Sequence, residues 1–148
     1  MTWKPHVTVA AVIEKNSKYL LVEELVDGKA VLNQPAGHLE EHESFVDAVI
    51  RETEEETATL FKPEFLVGLY RWIMPQKDRT YLRLCFAGKI IKTLENQPLD
   101  TDIIRTRWLS YEEILLQTEQ LRSPLVLECI EDYRQGKNFP MALVKDLD

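Results

Sequence analysis

Gly37-His38-Leu39-Glu40-Glu41-His42-Glu43-Ser44-Phe45-Val46-Asp47-Ala48-Val49-Ile50-Arg51-Glu52-Thr53-Glu54-Glu55-Glu56-Thr57-Ala58-Thr59 is the stretch on which the fold of this 148-residue chain turns. Glu52, Glu55 and Glu56 stand at i, i+3 and i+4, so on a helix they project from one side. Val46, Val49, Ile50 and Thr53 follow i, i+3, i+4, i+7, the spacing of a core-facing stripe. The segment therefore reads as a helix packed by one stripe with acids crowded beside it. Acids this close repel, and hard divalent cations with oxygen ligands are the natural offset. Ser44 and Asp47 fit an N-terminal capping pair, which starts the helix near Ser44 and runs it to about Thr57.

Working outward, His6 to Glu14 is β-rich and apolar enough for a central strand. Lys15 to Lys18 turns, and Tyr19 to Glu24 returns as the second arm of a hairpin. Val31 to Gly37 leads into the acidic helix as a short strand and loop, with Gly37 allowing close backbone approach. Beyond the helix, strands are expected at Phe65–Met74 and Arg79–Ile91, joined by the Pro75–Asp78 turn. A polar loop, Thr93 to Asp102, precedes a strand at Ile103–Leu109. Ser110 with Glu113 caps a short helix through Leu116, and Ser123-Pro124 opens a last helix to Gln135 with Gly136 past its end. The tail from Asn138 reads as loosely held. The order describes one α+β domain over 1–148, a mixed β-sheet between helices.

Composition narrows the function. Acidic side chains outnumber basic ones to a net charge of −7, and no Lys/Arg run forms a stripe for long nucleic acid. Cys85 and Cys129 sit in apolar surroundings and match neither a metal pair nor a disulfide framework, which points to a reducing, cytoplasmic setting. The start at Met1 has no signal-peptide apolar core, and no apolar run is long enough to span a bilayer.

Gly37, Glu43 six residues on, then Arg51-Glu52 and Glu55-Glu56 resemble the Nudix box, with six fixed positions in register. Three positions depart from it: Thr53 and Thr59 replace aliphatic residues, and Ala58 replaces a Gly that would supply a left-handed helix end. Further segments, 6–10, 33–40, 107–114 and 121–126, are similar to the bacterial NudJ-type phosphatases of that family. The resemblance implies the α/β/α Nudix sandwich and attack of water on a phosphorus of a small phosphorylated substrate. Nucleoside di- and triphosphates, thiamine pyrophosphate and hydroxymethylpyrimidine pyrophosphate are the implied substrates, with magnesium, or manganese in its place, as cofactor.

The resemblance also implies residue roles. Glu55 and Glu56 are expected to ligate the metal, helped by Glu52 and the carbonyl of Gly37, while Arg51 holds Glu52 or Glu43. Glu52 is the first candidate for the base, with Asp102 of the polar loop behind it. Gln34, Trp72 and Arg83 are candidate substrate contacts, Trp72 by stacking on a ring. Alternatives stay open: a pyrophosphohydrolase releasing pyrophosphate, or a weakened nucleotide-binding module suggested by Thr53, Ala58 and Thr59. Monomer and homodimer are both compatible with the sequence.

Overall fold

A computed structural model describes residues 2–147; Met1 and Asp148, the ends of the expected domain, lie outside the described residues. Seven strands and three helices follow in the order β1 (His6–Lys15), β2 (Lys18–Val26), β3 (Lys29–Asn33), β4 (Ala36–His38), α1 (Phe45–Thr57), β5 (Thr59–Met74), β6 (Arg79–Thr93), β7 (Ile103–Ser110), α2 (Tyr111–Leu115) and α3 (Pro124–Arg134). Main-strand order is β3-β2-β1-β6-β5, with β4 added beside β1 and β7 beside β2. β1 and β6 run parallel, and the other pairs are antiparallel.

β1 is buried on both faces, as a central strand between two helical layers must be. Val9, Ala11 and Ile13 pack with Val49, Phe61 and Phe86 under α1, whereas Ala10 and Val12 pack with Leu21, Val126 and Ile130 under α3. The result is the expected α/β/α sandwich around a mixed sheet. β1 meets β2 only through Glu14–Tyr19 and Lys15–Lys18, and from His6 to Ile13 its partners are β4 and β6. The sheet is thus forked. One prong carries β2, β3 and β7; the other carries β4, β1, β6 and β5.

The acidic helix begins where its cap predicts, with Asp47 N–H donating to Ser44 Oγ at 3.1 Å. It ends on Ala58 in the left-handed region (φ 54°, ψ 41°), the conformation Gly supplies at lower cost. Thr59 is held by its hydroxyl against Thr57 Oγ1 at 2.6 Å, and Thr57 also reaches the Thr53 carbonyl. Two expectations need correction. β5 starts at Thr59 rather than Phe65, because Pro63 is absorbed by a bulge opposite Gly88 while Phe61 anchors the core. The tail is not loose: Phe139 exchanges backbone hydrogen bonds with Leu66 at 2.8 and 2.9 Å, and Met141 and Val144 pack under the α1 side of the sheet.

Candidate active site

The fork opens a cleft of about 300 Å³ where α1, the end of β3, β4 and the mouth of the β1–β6 prong converge. Glu52 and Glu56 enter it from α1, Gly37 from β4, Arg83 and Tyr81 from β6, and Trp72 from β5. Gly37 is required by packing: a Cβ there would lie 2.1 Å from the Glu52 carboxyl carbon. The backbone and the carboxylate therefore share one notch.

Glu56 is 7% exposed and accepts the Ala36 N–H at 2.9 Å. Burial pushes its carboxyl up to about 9, and the charges of Glu24, Glu52 and Asp100 add to burial against that hydrogen bond. Glu52 is raised to about 7, again mainly by burial, with Arg51 opposing. Two carboxyls set in one poorly solvated notch fit a divalent cation, which would replace lost solvation with direct charge.

Arg51 organises the acids around this notch. Its Nε and Nη2 clasp Glu43 at 2.7 and 3.0 Å, and Nη1 reaches Glu52 at 2.8 Å and Glu55 at 3.3 Å. The His38 carbonyl takes a further bond from Nη2 at 3.1 Å. Arg51 holds the Glu43 carboxyl below the usual range, and Glu43 in turn raises the guanidinium. Glu55 stands apart from the cleft lining: its side chain is 39% exposed and turned to Arg51. Among the described residues no three acidic, histidine or cysteine side chains converge on one point as they stand. Joining Glu55 to Glu52 and Glu56 around one cation requires trading Arg51 contacts for cation contacts.

The polar-loop acids divide against expectation. Asp102 is exposed and outside the cleft, its carbonyl fixed by Leu25 N–H at 3.0 Å. Asp100 is the loop acid whose charge reaches Glu52 and Glu56, and its N–H is held by the Glu55 carbonyl at 2.9 Å. The Ile103 N–H to Asp100 carbonyl turn pulls Asp100 toward α1 and leaves Asp102 beside β2.

Opposite the acids stands Arg83, 6% exposed and paired with no carboxylate among the described residues. Gln34 holds it: Nη1 of Arg83 donates to Gln34 Oε1 at 2.8 Å, and Gln34 Nε2 donates to the Val126 carbonyl of α3 at 2.7 Å. Gln34 is 1% exposed with both ends engaged, so it positions Arg83 instead of meeting a ring. A buried, uncompensated guanidinium is an anchor for an anion. Trp72 stacks on Tyr81 with ring centroids 5.9 Å apart, and His6 sits 5.2 Å from Tyr81, giving the cleft an aromatic wall. Burial lowers the His38 pKa, with His6 and two arginines acting in the same sense.

Asn33 and Arg122 of the cleft lining, and Glu24 behind them, had no role assigned from sequence. Glu24, 6% exposed, accepts from Arg122 Nη1 at 2.7 Å and from Asn33 Nδ2 at 3.4 Å, tying the β2–β3 prong to the start of α3. The acidic pair Glu23-Glu24 after the apolar run Leu20-Leu21-Val22 was the available signal.

Comparison with known proteins agrees with this geometry. Residues 4–129 match the NUDIX domain family. The chain is 45% identical over 146 residues to Phosphatase NudJ of Escherichia coli O1:K1, covering 99% of this chain and 94% of that one. A NUDIX hydrolase structure from Nitrosomonas europaea superposes with a TM-score of 0.95 at 48% identity, covering 97% and 98% of the two chains. A MutT protein structure from Methanosarcina mazei Go1 shares the fold alone, with a TM-score of 0.74 at 22% identity over 93% and 99%.

Proposed function

Because the chain belongs to the Nudix family and is a Nudix hydrolase, we propose that it cleaves phosphate from small organic diphosphates and triphosphates with magnesium. The phosphatase name of its 45%-identical relative supports phosphate as the product. Candidate substrates are nucleoside di- and triphosphates, thiamine pyrophosphate and hydroxymethylpyrimidine pyrophosphate. One observation carries the proposal: the buried Glu56 and the partly buried Glu52 share a cleft with the buried and uncompensated Arg83.

Glu56 and Glu52, joined by Glu55 and the Gly37 carbonyl, would hold the ion. When bound, such an ion neutralises phosphate charge and lowers the pKa of a coordinated water. Glu52, which enters the cleft from α1, is the first candidate to take the proton from the attacking water. Arg51 fixes the Glu52 carboxylate by its 2.8 Å bond, so the base is oriented before substrate arrives. Arg83, held at a fixed angle by Gln34, binds phosphate oxygens and keeps the diphosphate against the acids. Trp72 and Tyr81 give an aromatic group a face to stack on. The chain works as one domain, alone or as a homodimer.

A hydrolysis panel with separate readouts for phosphate and pyrophosphate tests the proposal, run with magnesium and with chelator. Magnesium-dependent phosphate release from the diphosphates is the expected result. Pyrophosphate as the main product from triphosphates would reassign the bond cleaved. Equal turnover in chelator would remove the metal from the scheme.

A further inference from the structure

Asn33 ends β3 on the prong facing Arg83 and the acids, and it lines the same cleft as Trp72 and Tyr81. Its side chain is 4% exposed, and its two amide ends are in unequal states. Nδ2 donates to Glu24 Oε1, an orientation enforced because the opposite flip would set Oδ1 against a carboxylate. Glu24 is itself fixed by Arg122 at 2.7 Å. The Oδ1 atom is left buried without a hydrogen-bond partner. Buried polar atoms are nearly always satisfied, so an orphan acceptor on the wall of a substrate cleft marks a place where a ligand donor belongs.

What donor fits follows from its neighbours. An aromatic pair supplies a face for a ring, and Arg83 supplies a cation for the phosphates. The missing element of such a site is an edge contact, and Asn33 Oδ1 can only accept. We propose that Asn33 is a specificity-determining residue whose Oδ1 accepts a hydrogen bond from an N–H on the ring of the substrate. The preferred substrates are then phosphoanhydrides of N–H-bearing heteroaromatic groups. Arg122 acts behind it as a positioning residue, since it holds the carboxylate that sets the amide. This inference rests on the hydrolase reading for the identity of the phosphorylated ligand, but not on turnover.

The test uses binding of monophosphates, which have no anhydride to lose. Adenosine 5′-monophosphate and purine riboside 5′-monophosphate differ only in the exocyclic amine, and neither needs catalysis to be measured calorimetrically. The parent protein is expected to prefer the amine-bearing ligand by about tenfold, the scale at which a buried partner left unpaired is penalised. Asn33→Leu should abolish that ratio. Equal binding of the two ligands by the parent overturns the inference without any variant. So does a Leu variant that keeps the full ratio, or one whose manganese affinity falls while the ratio stays. A parent that shows the preference yet hydrolyses no diphosphate would count against the hydrolase reading and still support Asn33.

Discussion

Replacing Glu56 by Gln in metal-free protein should raise its melting temperature at pH 8 and barely change it at pH 5. In the unfolded chain this carboxyl titrates near its ordinary value of 4.5, whereas burial lifts it to about 9 in the fold. Between those values the folded protein keeps a proton that the unfolded chain releases, so stability is fully present below 4.5 and is lost as pH rises through 9. At pH 8, some 3.5 pH units above the ordinary value, the penalty reaches about 5 kcal/mol as an upper bound, at 1.36 kcal/mol per unit. Relaxation of the site and water entry reduce it, leaving about 2–4 kcal/mol for Gln to recover, or roughly 5–10 °C for a chain of this size. Gln keeps an acceptor for the Ala36 N–H, so the backbone bond survives. Scanning calorimetry of parent and variant at pH 5 and pH 8 in chelator measures the difference. Added magnesium should then reverse the order at pH 8, because only the parent offers the carboxylate. A variant that melts at or below the parent at pH 8 in chelator would refute the claim that burial of an unpaired acid strains this site.

Three further outcomes are expected. Gly37→Ala drives a methyl group into the Glu52 carboxyl and should lower magnesium-dependent turnover roughly a hundredfold, with the far-ultraviolet spectrum unchanged; retained turnover would show that the notch is not used. Ala58→Gly relieves a left-handed alanine and should gain about 1 kcal/mol, seen as a melting temperature about 2–4 °C higher. Trp72→Ala should raise KM for aromatic diphosphates while leaving KM for inorganic triphosphate in place, and an equal rise for both would return Trp72 to a structural part.

Much of this fold was legible in the sequence because its signals are local. The Ser44 cap and the apolar spacing from Val46 place the acidic helix. The cleft was legible only where a motif names its residues. Glu24, Asn33 and Arg122 are distant in sequence, and each reads alone as the polar end of an element; their meaning arises when β2, β3 and the start of α3 meet. From sequence Asp102 was preferred over Asp100, since the two residues of turn that bring Asp100 rather than Asp102 to α1 leave no local signal. Gln34 was visible as a polar residue before a proline, but its burial beneath α3 was not.

The forked sheet divides labour between two arms whose β1–β2 strand pairing is confined to Glu14–Tyr19 and Lys15–Lys18. One arm brings Asn33 and Glu24, the other brings Gly37, Arg83 and the aromatic pair, and α1 delivers the acids from above. Each arm can therefore drift in sequence without disturbing hydrogen bonds inside the other. On the roles proposed for Asn33 and Arg83, a lineage built on this plan can exchange the group it recognises by editing the tip of β3, or change how tightly it grips a phosphate by editing β6. The acidic helix can stay as it is through both changes. The gap between the arms is the place where new substrate ranges are drafted.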